Sequence, residues 1–169
     1  KEKLFGGTTA CSAGVIWIPE SRQAKAAGID DRPGEALKYL ESIAGNRLDR
    51  ARATARAIDA AIAAGQKVGP LAGVPFAVKN LFDVKGLATR AGSKINRDLA
   101  PSPRDATLIE RMEAAGAVLV GALNMGEYAY DFTGENIHDG PARNPHDTTR
   151  MTGGSSSGSS TAGADPKAD

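Results

Sequence analysis

The chain has 169 residues, enough for one ordinary domain with a real core. Its 21 basic residues are balanced by 20 acidic ones and only 5% of residues are aromatic, so neither a nucleic-acid surface nor an anionic-membrane surface is indicated. One cysteine, Cys11, excludes an internal disulfide framework and fits a reducing cytoplasm, and no apolar run approaches the roughly 18 residues of a membrane span.

In chain order, residues 1–30 form an N-terminal segment with one short β-like run, Val15 to Ile18, stopped by Pro19. Cys11, in the same segment, reads as a small buried hydrophobe rather than a nucleophile. Residues 33–66 read as helical. "DDRPGEALKYLESIAGN" opens with an acidic pair and a proline, which suits helix entry, and repeats apolar residues at helical spacing. "RLDRARATARAIDAAIAAGQ" follows, with a narrow apolar face of Leu48, Ala51, Ala55, Ile58 and Ile62 and with Gly65 as its stop. This pattern predicts a surface helix laid on something larger.

Residues 69–169 carry an α/β pattern. "GVPFAVKNLFDV" is an apolar run of the kind buried on both faces of a parallel sheet. "SPRDATLIERMEAAGA" predicts an amphipathic helix with Leu108, Ile109, Met112 and Ala115 on one face and Gly116 at its end. "AVLVGALN" predicts a second buried strand. Strand, helix and strand imply parallel pairing through a right-handed crossover. From Asn124 onward, Gly, Pro, Asn and Ser dominate and read as long loops at the carboxyl ends of those strands, the edge where sites form.

Several side chains in this section could carry chemistry. Lys79 ends an otherwise apolar strand, and burial there would depress its pKa until a neutral amine could serve as a base. A lysine snorkelling off the strand end is the plain alternative. "GGSSSGSS" offers hydroxyls at Ser155, Ser156, Ser157, Ser159 and Ser160, beside glycines that can turn tightly and aim N–H groups at an oxyanion. The same composition also describes a flexible tail. "GSSSG" satisfies the G-x-S-x-G elbow, but "RNPHDTTRMTG" before it is not strand-like. Both histidines, His138 and His146, precede the serines, so the α/β-hydrolase order does not apply. The histidines have no metal-ligand spacing and read as polar loop residues or walls of a substrate pocket.

Taken together, "GPLAGVPFAVKNLFDVKG", "TRAGS", "RDATLIERMEAAGAVLVGALNMGEYAY", "GPARNPHD" and "GGSSSGS" resemble the amidase signature hydrolases, over about residues 69–159. The wording is most similar to the carboxybiuret hydrolase branch, which degrades urea-like compounds. Other branches include the glutamine-hydrolysing subunit of tRNA-dependent amidotransferases. The resemblance implies an α/β class, with this chain as the N-terminal portion of an α/β/α layered fold around a mixed sheet. It implies a Ser–Ser–Lys triad, with Lys79 as the family's lysine and Ser155 as its bridging serine. Gly153, Gly154, Ser156 and Met125 then support the loop or the substrate. The implied chemistry needs no cofactor and no metal. It takes a small amide or urea-like substrate, with no nucleic acid or membrane partner. A homo-oligomer or a small partner subunit stays open.

The resemblance also marks departures. The nucleophile of the family lies in a motif of the form T-D-x-G-G-S, which these 169 residues do not contain, and the chain opens on Lys1 rather than Met. The sequence therefore reads as an incomplete domain. Ser157 stands where the family has glycine, which is costly if that position needs a positive φ. After Ser160 the alanine-rich helix that the resemblance implies gives way to "TAGADPKAD", where Pro166 is expected to stop any helix early. Two other readings stay open: a catalytically inactive truncated remnant that binds a partner, and a minimal Ser–Lys hydrolase using Ser156, Ser157 or Ser159.

Overall fold

The computed structural model describes residues 48–164. Cys11, the run from Val15 to Ile18, the helix expected from Asp30 to Asn46, and Pro166 lie outside the described residues.

Helix α1 spans Leu48–Ala63, rich in alanine and arginine as its high propensity requires. Its end is built by Gly65, at φ 67°. The Gly65 N–H donates to the Ile62 carbonyl (3.0 Å) and the Gln66 N–H to the Ala61 carbonyl (2.9 Å), the paired bonds of a Schellman motif. Helix α2, Thr107–Ala114, ends in the same way. Gly116 takes φ 94°, its N–H reaches the Glu113 carbonyl (2.8 Å), and the Ala117 N–H reaches the Met112 carbonyl (3.0 Å).

Strand β1 is Pro75–Lys79 and strand β2 is Val118–Leu123, and the two form one sheet. The Val118 N–H donates to the Val74 carbonyl and the Asn80 N–H to the Leu123 carbonyl, so both strands run the same way. A parallel pair joined by a helix is the expected βαβ order. Strands β3 (Arg143–Asn144) and β4 (Asp147–Met151) form a separate antiparallel pair. Helix α3, Ser157–Ala164, follows. The α/β class is therefore as the sequence implies, with the parallel and antiparallel pairings held in separate two-stranded sheets.

The described residues fall into two compact units, one of residues 48–76 and 107–121, the other of residues 77–106 and 122–164. In the first, Ala51 and Val118 are buried, with Ala55, Ile58 and Val120 packed against them. Arg50 and Glu113 meet at 2.7 Å in the same unit. Ile109 is fully buried. In the second, Val78 and Val84 are buried, along with Met125 and a group of polar side chains: Ser93, Asn136, Ser156, Ser157 and Ser159.

Four expectations are corrected. The first apolar run yields a strand of only five residues with alternating burial, in which Phe76 and Val78 are inside and Lys79 is half-buried, so it is not covered equally on both faces. Ile62 and Leu108, placed on the inner helix faces by periodicity, are 54% and 45% exposed. Ile62 sits in the last turn of α1, beyond the packed Ala51–Ile58 stretch, and in the two-turn α2 the inward position is held by Ile109. Residues after Asn124 are not all loop, because β3, β4 and α3 lie there. "RNPHDTTRM" is a hairpin whose turn is set by side chains: Asn144 Oδ1 accepts the His146 N–H (3.0 Å), and Asp147 Oδ1 accepts the Thr149 N–H (3.0 Å).

Candidate active site

Lys79 is the last residue of β1, and the Asn80 N–H donates to Leu123 at the end of β2 (2.9 Å). The two strands therefore deliver Lys79 and the segment Asn124–Met125–Gly126 to the same carboxyl edge. Asn124 fixes that segment, accepting the Met125 N–H on Oδ1 (2.8 Å) and donating from Nδ2 to the Gly140 carbonyl (3.1 Å).

The Gly–Ser loop is held by three backbone bonds of 2.9 Å, two of them to this edge and one to Phe132. The Gly126 N–H donates to the Ser155 carbonyl, the Gly154 N–H to the Phe132 carbonyl, and the Gly158 N–H to the Asn124 carbonyl. Gly153 turns the chain at φ 84°, a value that glycine adopts without penalty. Gly154 has no room for a side chain, since a Cβ there would stand 2.8 Å from the Gly134 nitrogen. The Gly154–Ser155 peptide bond is cis.

The outcome is a direct pair: Lys79 Nζ donates to Ser155 Oγ at 2.7 Å. Desolvation by burial holds the Lys79 pKa below the ordinary lysine value, because the ammonium form loses water. A half-buried amine of lowered pKa against a serine hydroxyl can take up that hydroxyl's proton.

The other residues singled out from sequence are placed as follows. Met125 is fully buried at the base of the loop, and Ser156, Ser157 and Ser159 are buried in or beside α3. The serine shown to meet Lys79 is Ser155, through its Oγ. Ser157 opens α3 and is not among the residues of positive φ, so the backbone cost considered for it does not arise. Its hydroxyl is buried and finds no hydrogen-bond partner among the described residues. His138 does not join the Lys79–Ser155 pair. Its Nε2 lies 2.8 Å from Glu127 Oε1, which also accepts a 2.6 Å bond from Ser93 Oγ. The Ser93 hydroxyl first, then His138, hold the Glu127 carboxyl below its ordinary pKa, against the effect of desolvation. His146 sits in the β3–β4 turn. Among the described residues, no three His, Cys, Asp or Glu side chains gather as a metal site would.

Two residues escaped the sequence reading. Asn136, almost fully buried, donates to the carbonyls of Gly92 (2.7 Å) and Met125 (2.6 Å) and accepts the N–H groups of His138 and Asp139. Asp131 caps the turn that precedes it, and only the spacing D-x-T-G could have signalled that role.

The Lys–Ser pair on a strand end and a glycine turn coincides with a family match: the amidase profile covers residues 31–165. The chain belongs to the amidase signature family. This amidase-family chain is 62% identical to AtzE, the 1-carboxybiuret hydrolase subunit of Pseudomonas sp. (strain ADP), over 115 residues, 68% of this chain and 25% of that protein. It is 53% identical to a glutamyl-tRNA(Gln) amidotransferase subunit of Anaeromyxobacter sp. (strain K) over 163 residues, 94% of this chain and 32% of the relative. Among solved structures, it superposes with a TM-score of 0.71 and 51% identity on one from a vestigial protein complex bearing on the origins of an s-triazine catabolic enzyme, covering 83% of this chain and 33% of that one. The peptide amidase of Stenotrophomonas maltophilia gives a TM-score of 0.64 at 31% identity, covering 83% and 32%. The amidase-family chain thus spans between a quarter and a third of the length of these relatives.

Proposed function

We propose that this chain contributes the Lys–Ser half of an amidohydrolase that cleaves the C–N bond of a small amide or urea-like substrate. The observation that carries the reading is the 2.7 Å contact between Lys79 Nζ and Ser155 Oγ, made by a lysine whose charged form is disfavoured by burial. Neutral Lys79 accepts the Ser155 proton. Ser155 in turn accepts the proton of a second serine, which attacks the amide carbonyl and forms an acyl-enzyme. The relay then runs backwards, protonating the departing nitrogen, and water releases the acyl group. The attacking serine is one that the family resemblance places in a motif absent from these 169 residues. Similarity to a carboxybiuret hydrolase subunit supports a urea-like substrate, and similarity to an amidotransferase subunit supports action within a multi-subunit complex.

The test is ammonia release from simple amides and urea derivatives by the complete protein. Lys79→Ala and Ser155→Ala are each expected to lower kcat by about 10³-fold or more while leaving the thermal transition in place. Substantial hydrolysis by folded Lys79→Ala would end the relay assignment.

A further inference from the structure

Ser155 is held by backbone bonds, and the side chain that packs between them is Asp131. Its carboxylate is fixed by three donors: Oδ1 accepts the Thr133 N–H (2.8 Å) and the Thr133 hydroxyl (2.7 Å), and Oδ2 accepts the Gly134 N–H (2.7 Å). So anchored, the residue lies against two glycines. A Cβ on Gly154 would stand 2.5 Å from Asp131 Oδ2 and 2.8 Å from the Asp131 carbonyl, and a Cβ on Gly126 would run into Asp131 Cβ.

Those two glycines are the ones that fix the reacting serine. The Gly126 N–H holds the Ser155 carbonyl, and Gly154, whose N–H holds the Phe132 carbonyl, is bonded directly to Ser155. Asp131 is thus a spacer of fixed length between the β2 edge and the Gly–Ser loop. Its anionic form is secured as well. Burial pushes its pKa up, but the hydrogen bonds from Thr133, Gly134 and the Phe132 N–H outweigh that and leave the carboxyl below its ordinary value.

We propose that Asp131 is a positioning residue, whose carboxylate, wedged between Gly126 and Gly154, sets the distance between Ser155 Oγ and Lys79 Nζ. This rests on the amide-hydrolysis reading above for its catalytic consequence, but the placement of Lys79 against Ser155 does not depend on it. Without the spacer, the Gly154–Ser155 segment settles toward the vacated space, the 2.7 Å contact lengthens, and water reaches the amine. A displacement of about 1 Å at a reacting group costs on the order of 10²-fold in rate.

The experiment uses the complete protein with Asp131→Ala and Asp131→Asn, and reads two quantities. One is kcat and KM for amide hydrolysis. The other is the pH midpoint of Lys79 acylation by acetic anhydride, followed by peptide mass mapping, which needs no activity. Expected for Asp131→Ala are a kcat lowered about 10- to 100-fold, a KM within about twofold of the parent, and a Lys79 midpoint moved up toward that of a solvated lysine. Asp131→Asn keeps the shape and one acceptor and should fall between, and it decides the matter on the same readouts if Asp131→Ala does not fold. A lowered melting temperature with an unmoved Lys79 midpoint would reduce Asp131 to a structural role and overturn the proposal, as would parental kcat in the folded variant. If Lys79→Ala keeps its activity, the hydrolytic relay fails, yet the acylation midpoint still judges Asp131.

Discussion

Gly65 and Gly116 occupy the same place after their helices, both at positive φ (67° and 94°), and both make the same pair of capping bonds. They differ in their surroundings. A Cβ on Gly65 meets nothing within 4 Å, whereas one on Gly116 stands 2.8 Å from Ala72 Cα and 3.0 Å from the Ala72 nitrogen. Gly65→Ala therefore costs only the left-handed conformation, roughly 1–2 kcal/mol. Gly116→Ala costs the same and adds an overlap with backbone that cannot swing aside, about 1–3 kcal/mol more. With a urea m-value on the order of 2 kcal/mol/M, the extra term separates the two midpoints by about 1 M. The assay is equilibrium urea unfolding of the two variants beside the parent. Coincident midpoints would show that the close approach of Gly116 to Ala72 is not a constraint, and the packing argument would fail.

Other outcomes follow from the site. Lys79 has a folded pKa below its ordinary 10.5, so the unfolded chain holds that proton over the interval where the native protein has lost it. Its contribution to stability is complete above 10.5 and is lost as pH falls through the lowered value. Lys79→Met should consequently gain stability over the parent at neutral pH, with the gain shrinking as pH rises toward 10.5, measured by melting temperature against pH. Asn136→Leu strips partners from two carbonyls and two N–H groups and should cost about 3 kcal/mol in denaturant unfolding, with a loss under about 1 kcal/mol counting against the network. Ser157→Ala removes a buried hydroxyl that has no partner among the described residues and should raise stability by about 1 kcal/mol, and a clear destabilisation would mean the hydroxyl is satisfied.

How much of this was legible in the sequence depends on how local each signal is. Both helix stops could be read, because a Schellman end needs little more than a glycine after a periodic run, and Gly65 and Gly116 supply it. The strand holding Lys79 was legible for a similar reason. Its shortness was not, since past Asn80 the backbone turns: the Phe82 N–H donates back to the Lys79 carbonyl, and the Asp83 carbonyl accepts the Ala106 N–H. Helix α3 was harder still. Serine and glycine have poor helix propensity, and this helix exists because Ser157 and Ser159 are buried and Gly158 lies close against the Asn124 backbone. The pairing of Lys79 with Ser155 was available only through the family resemblance. Nothing in composition or periodicity says that residues so far apart meet. Asp131 and Asn136 act through backbone groups of distant segments, and no pattern along a chain displays that.

The Lys79–Ser155 bond joins positions 76 apart. Bringing such a pair together from an open chain costs on the order of 4 kcal/mol of loop-closure entropy, taken as (3/2)RT ln n, so the contact exists only once the intervening strands and turns are in place. Before that moment the amine is an ordinary solvated ammonium and the serine an ordinary alcohol. The lowered pKa of Lys79 is thus a property of the finished fold and is absent from the growing or damaged chain. Nascent and unfolded copies carry both residues of the pair without the contact between them, and the pH at which Lys79 becomes open to acylation separates folded from unfolded molecules.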